Sequence, residues 1–208
     1  MLPGMPSTVA ALLDAARVTR FGAVPWRSPV PTDRPGVYLI ARTSDPGAGV
    51  TAPVAIDSRA VRQLLEVRPE LLVDKQRPSE DILAQRLASM WLPDEPVIYV
   101  GLAGTSLNNR IGQFYNTRLG ARSPHAGGWP LKCLATLSQT WVHFAECDDV
   151  KTAERNMLHA FANAVSSQSL AEICDPDLPL PYANLEFIDS AGRRHIKRHN
   201  IKGAKAPR

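Results

Sequence analysis

The amino-acid sequence predicts one mixed α/β or α+β domain, and three observations support this. The chain has 208 residues, of which 44% are hydrophobic and 21% charged, a composition that is ordinary for a globular domain and excludes wholesale disorder. Its 18 prolines favour short elements separated by turns over a long helical bundle. After an N-terminal helix, strand-like and helix-like segments follow in the order β, α, α, β, α, β, α, β.

The N-terminal segment, residues 1–33, is predicted to hold one helix and a connector. Residues 7–18 have the pattern of a capped amphipathic helix. Prolines punctuate the chain that follows, which predicts irregular structure. Residues 36–41 are rich in β-branched and aromatic side chains, so we expect the first strand there.

A long segment, residues 42–96, separates the first strand from the second. It begins as a Gly/Pro-rich loop and continues into two amphipathic helices, predicted at 58–67 and 79–91. The second strand is predicted at 97–100, running into a glycine turn at 101–104.

The last part of the domain is predicted to contain two helices and two strands. Ser106 caps the first helix, and Asp148 or Asp149 caps the second, which runs to about residue 165. A polar loop is expected at 120–128, a strand at 141–146 and a short final strand at 185–188.

Composition excludes several classes of protein. Three cysteines without CxxC spacing do not form a disulfide framework and argue against a cysteine zinc site, so a reducing cytoplasm is expected. No apolar run reaches the roughly 18 residues of a membrane span. The first residues also lack the basic and apolar regions of a signal peptide.

The positive charge is concentrated at the C-terminus. Residues 191–208 hold seven of the 24 basic residues and no acidic one, so the rest of the chain, with 17 basic against 20 acidic residues, is net negative. A basic C-terminal segment of this kind either contacts a polyanion or is a solvated tail. Charge alone does not separate the two.

Two charged residues fall on the apolar faces of predicted helices. Glu154 lies four residues before Leu158 and seven before Phe161, and Arg110 lies three after Leu107. A carboxylate or guanidinium on such a face needs a partner. The two could simply pair with each other, or Arg110 could hold a phosphate while Glu154 holds a metal ion.

Together with two tyrosines, these residues resemble the GIY-YIG nuclease family. Gly36-Val37-Tyr38 corresponds to the first motif of the family and Tyr99-Val100-Gly101 to the second. Arg110 and Glu154 lie on the helices where the family keeps its arginine and its metal-binding glutamate, and Asn184 matches the asparagine that follows. Taken singly, the tyrosines would be interpreted as strand packing. The resemblance covers roughly residues 34–190, apart from the insertion.

Three departures from the family pattern stand out. Sixty residues, 39–98, separate the two tyrosines, where the family usually has a short loop. Leu102 replaces a common lysine. Phe114 stands where many members have His or Tyr, and His125, in the polar loop, is our candidate for supplying the missing polar group; the alternative is an ordinary surface histidine.

The resemblance implies a fold and a reaction. The expected fold is a small central antiparallel sheet flanked by helices, forming a nuclease domain at 34–190 with a helical insertion at 42–96. The expected reaction is hydrolysis of DNA phosphodiesters with Mg²⁺, for which Mn²⁺ can substitute. Glu154 would bind the metal and Arg110 the phosphate. Tyr38 would act as the base or orient the water, with Tyr99 beside it and Asn184 fixing the geometry.

The resemblance also implies partners and a role. We expect duplex DNA as substrate, a homodimer, a prokaryotic cytoplasmic location and a DNA methyltransferase encoded nearby, as in restriction or related DNA-defence systems. A structure-specific repair or recombination nuclease is one alternative, and an inactive DNA-binding module is another. The basic C-terminal segment would act as a phosphate clamp that sets affinity and salt dependence more than sequence choice. The predicted DNA contacts are Arg118, Arg122, Lys132, Arg193, Arg194, Lys197 and Arg198.

Overall fold

The computed structural model describes residues 7–49, 55–125 and 127–206. The first six residues, residues 50–54 of the insertion, Ala126 of the polar loop and the last two residues of the basic segment lie outside the described residues. The expectation about a signal peptide concerns that first stretch and stays a prediction. Within the described ranges, every helix is too short or too polar to cross a membrane.

A four-stranded antiparallel sheet forms the centre of the fold and confirms the predicted α+β class. Its strand order is β1-β5-β2-β4, and two two-stranded sheets, β3-β8 and β6-β7, lie outside it. In chain order the described elements are α1 (Val9–Ala15), β1 (Gly22–Pro25), β2 (Gly36–Ala41), α2 (Ser58–Val67), β3 (Leu72–Val73), α3 (Glu80–Ala88), β4 (Val97–Ala103), α4 (Leu107–Asn116), β5 (Trp141–Glu146), α5 (Val150–Ala164), α6 (Ser167–Glu172), β6 (Glu186–Ile188), β7 (Arg194–Ile196) and β8 (Ile201–Lys202).

The N-terminal segment differs from its prediction in two respects. The helix α1 is shorter than the predicted 7–18: Thr8 caps it, and it ends before Arg17, whose φ of 59° is left-handed. The expected irregular connector contains β1, which pairs with β5 at the edge of the central sheet. Pro25 closes this short edge strand opposite Trp141, a position where proline is tolerated.

The central strand β2 separates two apolar layers. All six of its residues are buried. Val37 and Leu39 pack in the cluster that contains α1 and α5, whereas Tyr38 and Ile40 belong to the cluster that contains α2, α3 and α4. The sheet is therefore covered on both faces, and Tyr38 points into the layer formed by the insertion and α4.

Strand β4 is longer than predicted. The expected glycine turn at 101–104 is wrong, because β4 continues to Ala103 and Gly101 pairs with Tyr38. A Cβ atom at Gly101 would lie 2.6 Å from Tyr38 Cζ, so this position requires glycine to make room for the ring rather than to turn the chain. Tyr99 pairs with Ile40, which places both tyrosines in the same layer.

The insertion forms the two predicted helices. Ser79 caps α3, which ends at Ala88 rather than Trp91. Leu64 of α2 and Leu83 and Leu87 of α3 are fully buried in the layer that holds the tyrosines. The insertion is therefore part of the same core.

The C-terminal segment is folded rather than a solvated tail. Residues 186–188 form β6, within the strand predicted at 185–188, but β6 is not the final strand: it pairs with β7 in a hairpin outside the central sheet. Strand β8 pairs with β3 of the insertion. Two of the basic residues therefore lie within strands, Arg194 in β7 and Lys202 in β8.

Candidate active site

A pocket of about 320 Å³ opens among β4, α4, α5 and the β6-β7 hairpin. Five of the six predicted catalytic residues line it. They come from parts of the chain that are far apart in sequence: Tyr99, Arg110, His125, Glu154 and Asn184. Tyr38, the sixth, does not line the pocket; it is 1% exposed and lies beneath it, with its ring centroid 5.9 Å from that of Tyr99.

The two tyrosines are neutral phenols at neutral pH. Burial, followed by the influence of Tyr99, raises the pKa of Tyr38 well above its usual value of 10.0. Burial and Glu154 likewise raise the pKa of Tyr99. Arg110 acts in the opposite direction on both groups, but burial has the larger effect. The structure therefore does not favour a phenolate at Tyr38.

His125 lies against Tyr38 in the wall of the pocket. Its Nε2 atom is 3.2 Å from the Tyr38 hydroxyl, and its backbone N–H donates to Thr117 Oγ1. The ring is 3% exposed and stacks on Phe114, with centroids 4.6 Å apart. Burial and Arg110 lower the pKa of His125 to about 4, so the imidazole is neutral at neutral pH and is a weaker base than an exposed histidine.

The structure gives a physical reason for Phe114 at the position where the resemblance leads us to expect His or Tyr. Its ring occupies the layer beneath His125 and is fully buried. A loop residue therefore brings an imidazole to the Tyr38 hydroxyl, while the helix position supplies the apolar surface on which that imidazole packs. His125 is therefore not an exposed surface histidine, which was the alternative interpretation.

Arg110 and Glu154 face the same pocket without pairing. Among the described residues, neither side chain takes part in an ion pair within 4 Å. Burial raises the pKa of Glu154 to about 7, Arg110 partly offsets this, and Glu186 adds to it. The two side chains therefore do not form the direct ion pair that was one of the alternatives.

Asn184 has a positioning role within this site. Its Oδ1 atom accepts from the Val100 N–H at 2.9 Å, and its Nδ2 donates to the Val100 carbonyl at 2.8 Å. The N–H of the preceding Ala183 donates to the Ile98 carbonyl. Because β4 is an edge strand, these bonds satisfy its open side and fix the strand that carries Tyr99.

Two charged pocket residues, Glu186 of the hairpin and Lys205 near the C-terminus, were missed from the sequence. Arg194, which was predicted as a DNA contact, lines the same pocket. Arg194 Nε donates to Glu186 Oε2 at 2.8 Å. The alternation of polar and apolar residues in β6 was a signal of a strand face, but nothing in the sequence indicated which element that face would meet.

The prediction that Lys197 contacts DNA is wrong. Lys197 is 4% exposed, and its Nζ donates to the carbonyls of Leu180 and Pro181 at 3.1 and 3.0 Å. Burial lowers its pKa to about 8. This ammonium ties the base of the hairpin to the segment that carries Asn184 and is not accessible to DNA.

Several other side chains predicted to contact DNA form hydrogen bonds or ion pairs within the protein. Lys132 Nζ donates to the Phe114 carbonyl at 3.0 Å and also to that of Thr117, so it caps the C-terminal end of α4. Arg198 pairs with Asp175 and Asp177. Arg193 pairs with Asp189 and Arg194 with Glu186, both on the surface, whereas Arg118 and Arg122 are exposed.

A divalent cation in this pocket would be held mainly by water. Within the described ranges, no group of three His, Cys, Asp or Glu side chains converges as a metal site. Mg²⁺ keeps several waters and commonly needs only one or two carboxylates. Glu154 provides one unpaired carboxylate in the pocket, and Glu186 lines the same pocket. Glu154 is therefore the residue that would hold the ion.

Comparison of the chain with protein-family models, with curated proteins and with solved structures gives no match. Its function is therefore inferred from the geometry of the pocket and from the resemblance of its motifs.

Proposed function

We propose that the chain is a divalent-metal-dependent DNA endonuclease of the GIY-YIG type. One observation carries the proposal: Tyr99, Arg110, His125, Glu154 and Asn184 line a single pocket although they come from five separate segments. A second pocket, of about 370 Å³ beside Arg27 and Tyr115, is lined by no carboxylate or histidine, so it does not offer comparable chemistry.

Arg110 and Glu154 have different roles in the proposed hydrolysis of a phosphodiester. Arg110 binds nonbridging oxygens of the scissile phosphate through its planar fork of N–H donors. Glu154 holds the metal ion. When bound, Mg²⁺ or its substitute Mn²⁺ neutralises phosphate charge and lowers the pKa of a coordinated water. Tyr99 donates a hydrogen bond at the pocket wall as a neutral phenol.

His125 takes the proton in this scheme, and Tyr38 orients its ring. We place the base at His125 rather than at Tyr38 because the imidazole lies at the pocket with an unprotonated nitrogen, although a pKa of about 4 makes it a weak base. The phenol of Tyr38 is buried behind it, and its raised pKa leaves no phenolate to accept a proton. His125→Ala should therefore lower the cleavage rate more than Tyr38→Phe, and a full rate in His125→Ala would refute the assignment.

Plasmid cleavage tests the proposal. The unaltered chain should cut supercoiled plasmid with Mg²⁺, and Glu154→Gln should reduce the rate by at least about 100-fold, the scale seen when one charge-stabilising group is removed. Glu172→Gln is the matched control, since Glu172 is exposed at the end of α6 and outside the pocket. DNA binding without cleavage in Mg²⁺ or Mn²⁺, unchanged in Glu154→Gln, would support an inactive DNA-binding module instead.

We assign the biological role to restriction or a related DNA defence, with a methyltransferase encoded nearby and a homodimer as the expected partners. Digestion of intact plasmid beside nicked, flapped and cruciform DNA separates the alternatives. Discrete bands from intact duplex support restriction. Cutting confined to the branched substrates would support a repair or recombination nuclease.

A further inference from the structure

The β6-β7 hairpin presents an exposed face that mixes apolar and charged side chains. Glu186 pairs with Ile196, and Ile188 with Arg194, so these four residues share one face. Ile188 is 55% exposed and Ile196 58% exposed. The two isoleucines are diagonal neighbours and form a small apolar patch, with the Glu186–Arg194 ion pair on the other diagonal of the face.

The hairpin is held in a fixed shape. Asp189 Oδ1 accepts from the N–H groups of Ala191 and Arg193, each at 2.9 Å, and closes the loop between the two strands. At the other end, the Lys197 N–H donates to the Leu185 carbonyl, and its buried ammonium holds the chain beneath. The exposed face is therefore preorganised rather than a flexible tail.

This face continues into the candidate active site. Glu186, Ile188 and Arg194 line the pocket that contains Glu154. Two further exposed cations lie beside this face. Lys205 lines the same pocket as Arg194, and Arg122 Nη1 donates to the carbonyl of Ala206, next to Lys205 in the chain, at 3.4 Å. The Glu186–Arg194 ion pair is solvent-exposed and contributes little, so a phosphate can displace it.

We propose that the exposed face of the β6-β7 hairpin enters the major groove of duplex DNA beside the cleaved bond. Ile188 and Ile196 contact base edges, and Arg194, with Arg122 and Lys205, contacts the flanking phosphates. A two-stranded ribbon fits the major groove, and apolar side chains there contact thymine methyl groups. The positive charge beside the patch favours nucleic acid over a protein partner.

The inference rests on the proposed nuclease function and deepens it. It also revises the expectation that the basic segment sets affinity and salt dependence more than sequence choice, because the isoleucines carry no charge and would act on sequence choice. The hairpin would then be a specificity-determining element, separate from the residues that cut the bond.

Binding of a random-sequence duplex pool by the full chain in EDTA tests this. The double variant Ile188→Ser, Ile196→Ser should raise the Kd by about tenfold and flatten the sequence preference of the selected pool, with the salt slope unchanged. Arg194→Gln should instead reduce the magnitude of the salt slope by about 0.9, the value for one lost phosphate contact. Ile82→Ser, at a 50% exposed position on α3, is the matched control and should change neither.

A second measurement does not depend on the stability of the serine variants. A photo-crosslinking amino acid at position 196 should crosslink to duplex DNA, and the same amino acid at position 82 should not. An unchanged Kd and sequence preference in the double serine variant, or no crosslink at position 196, would overturn the hairpin proposal alone if the unaltered chain still cleaves. Absence of both binding and cleavage by the unaltered chain would overturn the proposed function as well.

Discussion

Replacing Glu154 by glutamine should stabilise the protein while removing the proposed nuclease activity. Glu154 is a largely buried carboxylate without an ion-pair partner among the described residues, and burial raises its pKa to about 7 from the usual 4.5. Each pKa unit corresponds to 1.36 kcal/mol, so keeping this group ionised in the folded chain costs about 3 kcal/mol at pH 8. Glutamine has nearly the same shape and carries no charge, so the variant should unfold with a free energy higher by about that amount.

The difference in stability between the unaltered chain and Glu154→Gln should depend on pH, and the raised pKa of Glu154 gives the direction. Between pH 4.5 and 7 the folded chain binds the Glu154 proton more tightly than the unfolded chain does. The unaltered protein therefore loses stability relative to the variant as the pH rises through this range, and the two converge below pH 4.5. Denaturant unfolding in EDTA at pH 4 and pH 8 measures both points. Glu172→Gln, with its exposed carboxylate, should show no such gap.

A variant as stable as the unaltered chain, or less stable, at pH 8 would refute this reasoning. It would mean that a partner in the folded chain compensates the Glu154 carboxylate. The group would then be a structural ion-pair member rather than a charge retained in the pocket for ligand binding.

Three further predictions concern the residues that shape the site. Gly101→Ala should lower the free energy of unfolding by about 1–3 kcal/mol, because its Cβ would meet Tyr38 Cζ at 2.6 Å. Gly104→Ala is the control, since a Cβ there meets nothing within 4 Å. Equal unfolding curves for the two variants would contradict the described packing of Gly101 against Tyr38. Asn184→Ala should speed hydrogen exchange of the Val100 amide and cost about 2 kcal/mol, since it removes two hydrogen bonds; an unchanged exchange rate would show that the side chain does not hold β4. Lys197→Met should leave the salt slope of DNA binding unchanged because the ammonium is buried, and a slope shallower by about 0.9 would show that Lys197 contacts phosphate.

Local signals predicted most of the elements that carry the site. Ser106 and Asp149 cap α4 and α5 as expected, accepting from the N–H groups of Asn109 and Thr152. Strand β5 spans the predicted 141–146. Caps and apolar alternation act within a few residues, so they are visible in the sequence.

Features that depend on distant partners were not predictable in this way. Strand β1 has four residues and ends in proline, and it forms only because β5, more than 100 residues later, offers an edge. Lys197 belongs to the most basic part of the chain, yet carbonyls 16 and 17 residues upstream bury it. No pattern of charge distinguishes such a lysine from an exposed one.

Residues of the candidate site were predictable where a charged side chain interrupts an apolar pattern. Arg110 and Glu154 were identified because they interrupt apolar helix faces, and both line the pocket. Glu186 and Lys205 also line it but come from exposed segments, where a charged residue is ordinary. His125 was identified only through a departure from the family pattern, and its contact with Tyr38 required the folded loop.

The rate of plasmid cleavage across a series of Mg²⁺ concentrations tests the central assignment most directly. For the unaltered chain we predict a rate that is negligible in EDTA and rises to saturation with Mg²⁺, and for Glu154→Gln a rate at least about 100-fold lower at every concentration. Cleavage that is independent of the metal, or equal in the two proteins, would contradict the assignment of Glu154 as the metal-binding residue of a nuclease.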